Sequence, residues 1–135
     1  MSLLYLDTCC IIYLIEAASP FHAAVVQRIT AHNTVPGATL VTSRLARLEC
    51  RTKPLREADA TLLARYEVFF AAQRFRLAEI SPAVVDSATD LRAKYGFKTP
   101  DAIHLATAIV EKVDTFFTGD AQLGRCTEIR VEVIT

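Results

Sequence analysis

The chain has no excess of either charge sign, with Lys and Arg together numbering 15 and Asp and Glu also 15 among 135 residues. No global basic field therefore advertises nucleic-acid binding, although acids gathered in one site would offset basic residues elsewhere. Cysteine is sparse and unpatterned. Cys9, Cys10, Cys50 and Cys126 form no CxxC, and the three histidines are scattered, which argues against a zinc site. Vicinal Cys9 and Cys10 cannot easily bridge, and no disulfide framework is visible, so reduced thiols in a cytoplasm are expected. A signal peptide is not expected either, because the N-terminus lacks a basic region and meets Asp7 early. No apolar run approaches the length that spans a bilayer, so no membrane is expected as a partner. Repeats, low-complexity stretches and linkers are absent too.

What is present is one domain's worth of apolar sequence. A length of 135 residues predicts a single domain over 1–135. A composition 52% hydrophobic and 22% charged excludes disorder. The mean hydropathy of +0.28 is high for a small domain. It points to apolar surface covered by a partner or second copy, or to an alanine-rich helical chain.

Strand and helix signals alternate along the chain. Leu3 to Leu6 is a short apolar run expected of a buried parallel strand, and Thr8 to Glu16 follows as a nearly all-apolar helix expected to be buried on most sides. A second helix is predicted from Pro20 to about His32, with Ala23, Val25, Val26 and Ile29 as its stripe. After the Pro36-Gly37 turn comes a strand over Ala38 to Thr42, then a helix capped by Ser43 and running to about Arg51. Pro54 is predicted to interrupt it, before a longer amphipathic helix from Arg56 to Gln73. Phe75 to Ile80 is an imperfect strand signal. Ser81-Pro82 caps a helix to Tyr95, ended by Gly96. Thr99-Pro100-Asp101 starts another helix, with Thr99 as its N-cap. Thr115 to Thr118 and Ile129 to Ile134 complete the strands. The order predicts an α/β domain with a mainly parallel sheet.

Four carboxylates stand out against this frame. Asp7 and Asp120 follow strands, where an open parallel sheet binds ligands beyond its strand ends. Glu49 falls inside the apolar arc of its helix, at roughly 40° between Leu45 and Ala46, while Arg44, Arg47 and Arg51 gather on the opposite side. Asp101 opens a helix. Acids gathered without a fixed cation repel one another and imply a bound divalent metal. Each also has an ordinary reading: Asp7 as an N-cap, Asp101 as a helix-start residue, Asp120 as a turn residue. Glu49 is hardest to explain that way, because an unpaired inward carboxylate costs several kcal/mol.

Leu6-Asp7-Thr8, the stretch from Ser43 through Glu49, Thr99 to Ala108 and Thr118-Gly119-Asp120 together resemble the PIN-domain ribonucleases, and in particular the VapC-type toxins of toxin–antitoxin pairs. The resemblance runs from Leu3 to the last strand. It implies a three-layer α/β/α domain and an endoribonuclease that hydrolyses RNA phosphodiesters with Mg²⁺ or Mn²⁺. It implies Asp7, Glu49, Asp101 and Asp120 as the metal-holding catalytic acids, supported by Thr8, Ser43 and Thr118. Asp7 and Asp101 are expected to be core ligands, and Asp120 and Glu49 to hold a second cation or metal-bound waters. It further implies a small cognate antitoxin as partner and a homodimeric toxin. Gly119 stands where the family often has Asn or another small polar residue, and glycine still permits the turn.

Lesser candidates carry two readings. His104 lies one turn beyond Asp101 and is expected to be packed or solvated, with a supporting role beside the acids still open. Arg44, Arg47 and Arg51 could hold phosphates or antitoxin acids, or form a solvated face. Lys94 and Lys98 could meet RNA. Tyr5, Phe69 and Phe70 read as core, and Cys9 and Cys50 as small apolar filler. A phosphatase with Asp at the end of its first strand needs a second Asp where Cys9 stands, and a receiver-like domain needs an acidic pair before Asp7 that is missing. The remaining alternative is a PIN-like module that binds RNA or protein without cutting.

Overall fold

The computed structural model describes residues 2–135. Strand β1 (Ser2–Leu6) leads into helices α1 (Thr8–Glu16) and α2 (His22–Asn33), then β2 (Ala38–Ser43) into α3 (Arg44–Arg56) and α4 (Ala60–Phe70). Strand β3 (Phe75–Ala78) leads into α5 (Pro82–Tyr95) and α6 (Thr99–Val110), and β4 (Thr115–Thr118) into a short 3-10 turn (Ala121–Arg125) and β5 (Val131–Val133). Every strand pair is parallel, in the order β3-β2-β1-β4-β5. The sheet is thus wholly parallel, and the order in which strands are added reverses at β1, with β2 and β3 on one side and β4 and β5 on the other.

Alternation along β1 divides the core into two layers. Leu3 and Tyr5 face one side with Val41, Phe116 and the inner faces of α5 and α6, including Leu91 and Leu105. Leu4 and Leu6 face the other with Leu40, Phe117, Ile11 of α1, Val25 of α2, Cys50 of α3 and Tyr66 of α4. Fully burying each such aliphatic side chain contributes roughly 1.5–3 kcal/mol. This is the three-layer α/β/α arrangement the sequence led us to expect. Among the described residues no helix is long and apolar enough to cross a membrane.

Several local expectations are corrected. Pro54 does not interrupt α3 but lies buried inside it, two residues before its end. Its missing N–H falls in the last turn, where Glu57 N still closes on Lys53 O at 3.0 Å, so the loss is confined to one bond. The following helix is accordingly shorter than predicted. Lys98, not Thr99, is the N-cap of α6 and makes no side-chain cap bond. Pro100 has no N–H, so one of the donors a cap would satisfy is absent. Helix α1, by contrast, exposes none of its residues: Thr8, Cys10 and Ile11 are buried and the rest half-buried against the core, in keeping with the burial on most sides expected of it. The buried stripe of α2 is Val25, Ile29 and His32, while Val26 faces solvent.

Candidate active site

Asp7 extends β1 by one bond, its N–H donating to Phe117 O of β4 at 3.0 Å. Its carboxylate is 6% exposed and fully engaged. Oδ1 accepts from Thr8 N at 2.9 Å, capping α1, and Oδ2 accepts from Thr118 Oγ1 at 2.7 Å. The adjacent strand end carries Asp120, whose N–H donates to the same Thr118 hydroxyl at 3.0 Å. Asp120 is exposed and also caps the 3-10 turn through Gln122 N at 2.9 Å. The ordinary readings of Asp7 as an N-cap and of Asp120 as a turn residue are therefore correct as far as they go. The two acids nonetheless flank one hydroxyl at the point where the strand order reverses, between β1 and β4, the usual ligand position of this architecture.

Glu49 does face inward from α3, and it is not unpaired. Its Oε1 accepts from Thr8 Oγ1 at 2.7 Å and from His104 Nε2 at 2.7 Å, and neither neighbour touches Oε2. Burial pushes the Glu49 carboxyl up, but the bonds from His104 and Thr8 outweigh it and hold it below its ordinary range. Asp101, in the first turn of α6, has no hydrogen-bond or ion-pair partner among the described residues and is half-buried. Burial raises its proton affinity, and the charges of Asp7 and Asp120 raise it further, with a smaller addition from Glu49. The four carboxylates thus share one field. As they stand, no three His, Cys, Asp or Glu side chains among the described residues close on a single point.

Asp101 and Asp120 line a cleft of about 250 Å³ together with Phe97, Lys98, Gln122 and Arg125. Lys98 and Arg125 have no carboxylate within ion-pair distance among the described residues. Arg125 rests 4.9 Å over the Phe97 ring and donates to Tyr95 O. The arginines singled out from sequence are committed elsewhere: Arg44 to Glu79 at 2.7 Å, Arg47 to Glu67 at 3.0 Å, and Arg51 to Glu67 at 3.9 Å. Lys94 pairs with Glu128. Arg125 was missed because it belongs to a 3-10 turn with no sequence periodicity.

Thr8 and Thr118 support the acids directly. Ser43 does not touch them; it is buried and caps α3 through Leu45 N at 3.0 Å, acting on Glu49 only through the helix. Cys9 is more than filler, since its thiol lies 3.8 Å from Asp7 Oδ2 and accepts from Gly119 N at 3.3 Å. Gly119 does not occupy a left-handed turn. It is small because a Cβ there would meet Tyr13 Cε2 at 3.2 Å and Cys9 Sγ at 3.5 Å. A pocket of about 750 Å³ lies away from the acids between α1 and α4. Ile15, Ala64, Val68 and Phe69 make it strongly apolar.

A model of the PIN domain family matches residues 4–128. No curated protein matches the chain by sequence. Among solved structures it is similar to DNA-bound VapBC from Salmonella typhimurium, with 17% identity, TM-score 0.78 and all of both chains covered. It is also similar to promoter-DNA-bound VapBC2 from Rickettsia felis, with 14% identity, TM-score 0.77, and 98% of this chain and 99% of that one covered. A third is the sarcin–ricin-loop-cleaving toxin VapC20 of Mycobacterium tuberculosis, with 16% identity, TM-score 0.74, and 94% and 98% covered. At these identities the likeness to solved structures is one of fold.

Proposed function

The chain belongs to the PIN domain family, and from that premise we propose that it is a metal-dependent endoribonuclease toxin, hydrolysing RNA phosphodiester bonds and neutralised by a cognate antitoxin. The observation that carries this reading is the meeting of Asp7 and Asp120 at adjacent strand ends, in a field that also raises the proton affinity of an Asp101 with no ion-pair partner among the described residues. A half-buried carboxylate in a field of like charges is one that a divalent cation would stabilise.

The donors suit a hard divalent ion, being carboxylate oxygens, with Asp101 and Oε2 of Glu49 uncommitted to protein partners. Asp7 and Asp101 would hold Mg²⁺ or Mn²⁺, and Asp120 and Glu49 a second cation or its waters. Such an ion, once bound, acidifies a water for attack on phosphorus and neutralises charge developing on the phosphoryl oxygens and leaving group. Thr118 and the Thr8 amide fix the orientation of Asp7. Thr8 and His104 fix Glu49. Lys98 and Arg125, at the other side of the cleft, are placed to contact phosphates flanking the scissile one, Arg125 by a bidentate fork.

The similar structures from Salmonella typhimurium and Rickettsia felis are VapBC complexes, and a partner is proposed here on that likeness. The apolar groove between α1 and α4 suits the apolar face of an antitoxin segment or a second copy in a homodimer. The cytoplasm is the proposed place of action. The lack of a ready-made ligand cluster favours one competing reading, a PIN module that binds RNA without cutting it.

Purified protein, freed of antitoxin, should cut total cellular RNA into discrete fragments with Mg²⁺ or Mn²⁺. The fragments should disappear with chelator and in an Asp7→Asn/Asp101→Asn double variant. Folded protein that binds RNA but gives no metal-dependent fragments would establish the binding module instead.

A further inference from the structure

We infer that His104, held in turn by Tyr5, is the positioning residue that locks Glu49 into register with Asp7 and Asp101. This rests on the metal-site reading above. His104 lies on the inner face of α6 and is 1% exposed. A buried imidazole with an unmet nitrogen is costly, and here neither is unmet. Nδ1 lies 2.6 Å from the Tyr5 hydroxyl, and Nε2 lies 2.7 Å from Glu49 Oε1 and 3.1 Å from Thr8 Oγ1.

The direction of each bond follows from the donors available. An ionised Glu49 can only accept, so the proton on the 2.7 Å contact belongs to Nε2. When the ring is neutral, Nδ1 presents a lone pair to which the Tyr5 hydroxyl donates. Tyr5 itself is immobile: it is fully buried and stacked on Phe116, with centroids 4.9 Å apart and planes 13° apart. Its hydroxyl therefore fixes both the orientation and the tautomer of the imidazole, as partners of a ligating histidine do in metal sites.

The placement of the three residues gives the arrangement its consequence. Tyr5 is on β1, two residues before Asp7. His104 is on α6, one turn after Asp101. Glu49 is on α3, which has no other polar tie to α6. A single run of hydrogen bonds thus joins the three elements that carry Asp7, Asp101 and Glu49. Thr8 and His104 both occupy Oε1, so Oε2 is the oxygen left for the site. Leucine at 104 would fill the space and leave both Glu49 and the Tyr5 hydroxyl without this partner.

The test is Mn²⁺ affinity, read by paramagnetic resonance of free Mn²⁺, measured beside kcat and KM for RNA. Three variants are compared with wild type: Tyr5→Phe, His104→Leu and His104→Gln. Glutamine keeps an amide donor near Nε2. His104→Leu should weaken Mn²⁺ binding about 10- to 100-fold and lower kcat with little change in KM. His104→Gln should recover most of both, and Tyr5→Phe should fall between. If His104→Leu does not fold, the other two decide, since each removes or replaces little volume. Wild-type Mn²⁺ affinity and kcat in Tyr5→Phe, with only the melting temperature lowered, would make the histidine a core filler and overturn the inference. A His104→Gln variant with a wild-type melting temperature but no recovery over leucine would do the same. Wild-type protein that binds no Mn²⁺ would overturn the metal-site reading itself, a result distinct from either.

Discussion

Asp101 is the residue at which function and stability are most directly opposed. Its folded-state proton affinity is raised by burial and by the charges of Asp7 and Asp120. Folding therefore takes up protons at this group, and its contribution is lost as pH rises from the ordinary carboxylate range through the folded-state value. Glu49 has the opposite sign: held below its ordinary range, it contributes stability that is lost as pH falls through its folded-state value. In chelator, Asp101→Asn should therefore raise the melting temperature at neutral pH by about 2–5 °C. The gain should shrink toward pH 4, where the wild-type carboxyl is itself protonated, and Mn²⁺ should reverse the order by stabilising only the wild type. Calorimetry across pH checks this; a destabilised variant at neutral pH would contradict it. Lys98 and Arg125 belong to the same scale. Replacing either with Ala should raise KM for RNA more than it lowers kcat. In chelator, the slope of log affinity for single-stranded RNA against log salt should fall by about 0.7 per cation removed. Asp7 and Glu49 could be singled out from sequence because a charge beside or inside an apolar run breaks a local rule. The roles of His104 and Arg125 could not, because each depends on partners remote in sequence.

At the level of elements, α3 and the entry to α6 decide where two of the acids point. Ser43 caps α3 through Leu45 N, and Glu49 lies further along the same helix. Ser43→Ala should cost about 1 kcal/mol in urea unfolding and lower kcat more than it raises KM, since the start of the helix loosens. Gly96 ends α5 at φ +75°, with nothing within 4 Å of where a Cβ would lie. Gly96→Ala should thus be tolerated sterically yet cost roughly 1–2 kcal/mol through the left-handed backbone alone. The ends of α1 and α5 were legible because Asp7, Ser81 and Gly96 obey simple capping chemistry. The persistence of α3 through Pro54 was not legible, since proline's penalty depends on how many bonds remain beyond it.

For the whole molecule, alternation of strand and helix sufficed to give a parallel α/β domain, and the right-handed crossover preference constrains where its helices pack. Pairing order lies beyond such patterns, and it is the order β3-β2-β1-β4-β5 that brings Asp7 beside Asp120. The high mean hydropathy has a visible source in the groove between α1 and α4, where Val68 is 74% exposed. If an antitoxin or a second copy covers that groove, Val68→Glu should raise the dissociation constant at least about 100-fold, because a carboxylate would be buried unpaired. Cleavage by the free protein should persist. The central claim, that acids from four separate segments form one metal site, is tested most directly by anomalous diffraction from antitoxin-free crystals grown with Mn²⁺. The account predicts a peak in contact with Asp7 and Asp101, near Asp120 and Glu49. Ordered carboxylates with no Mn²⁺ peak between them would contradict it.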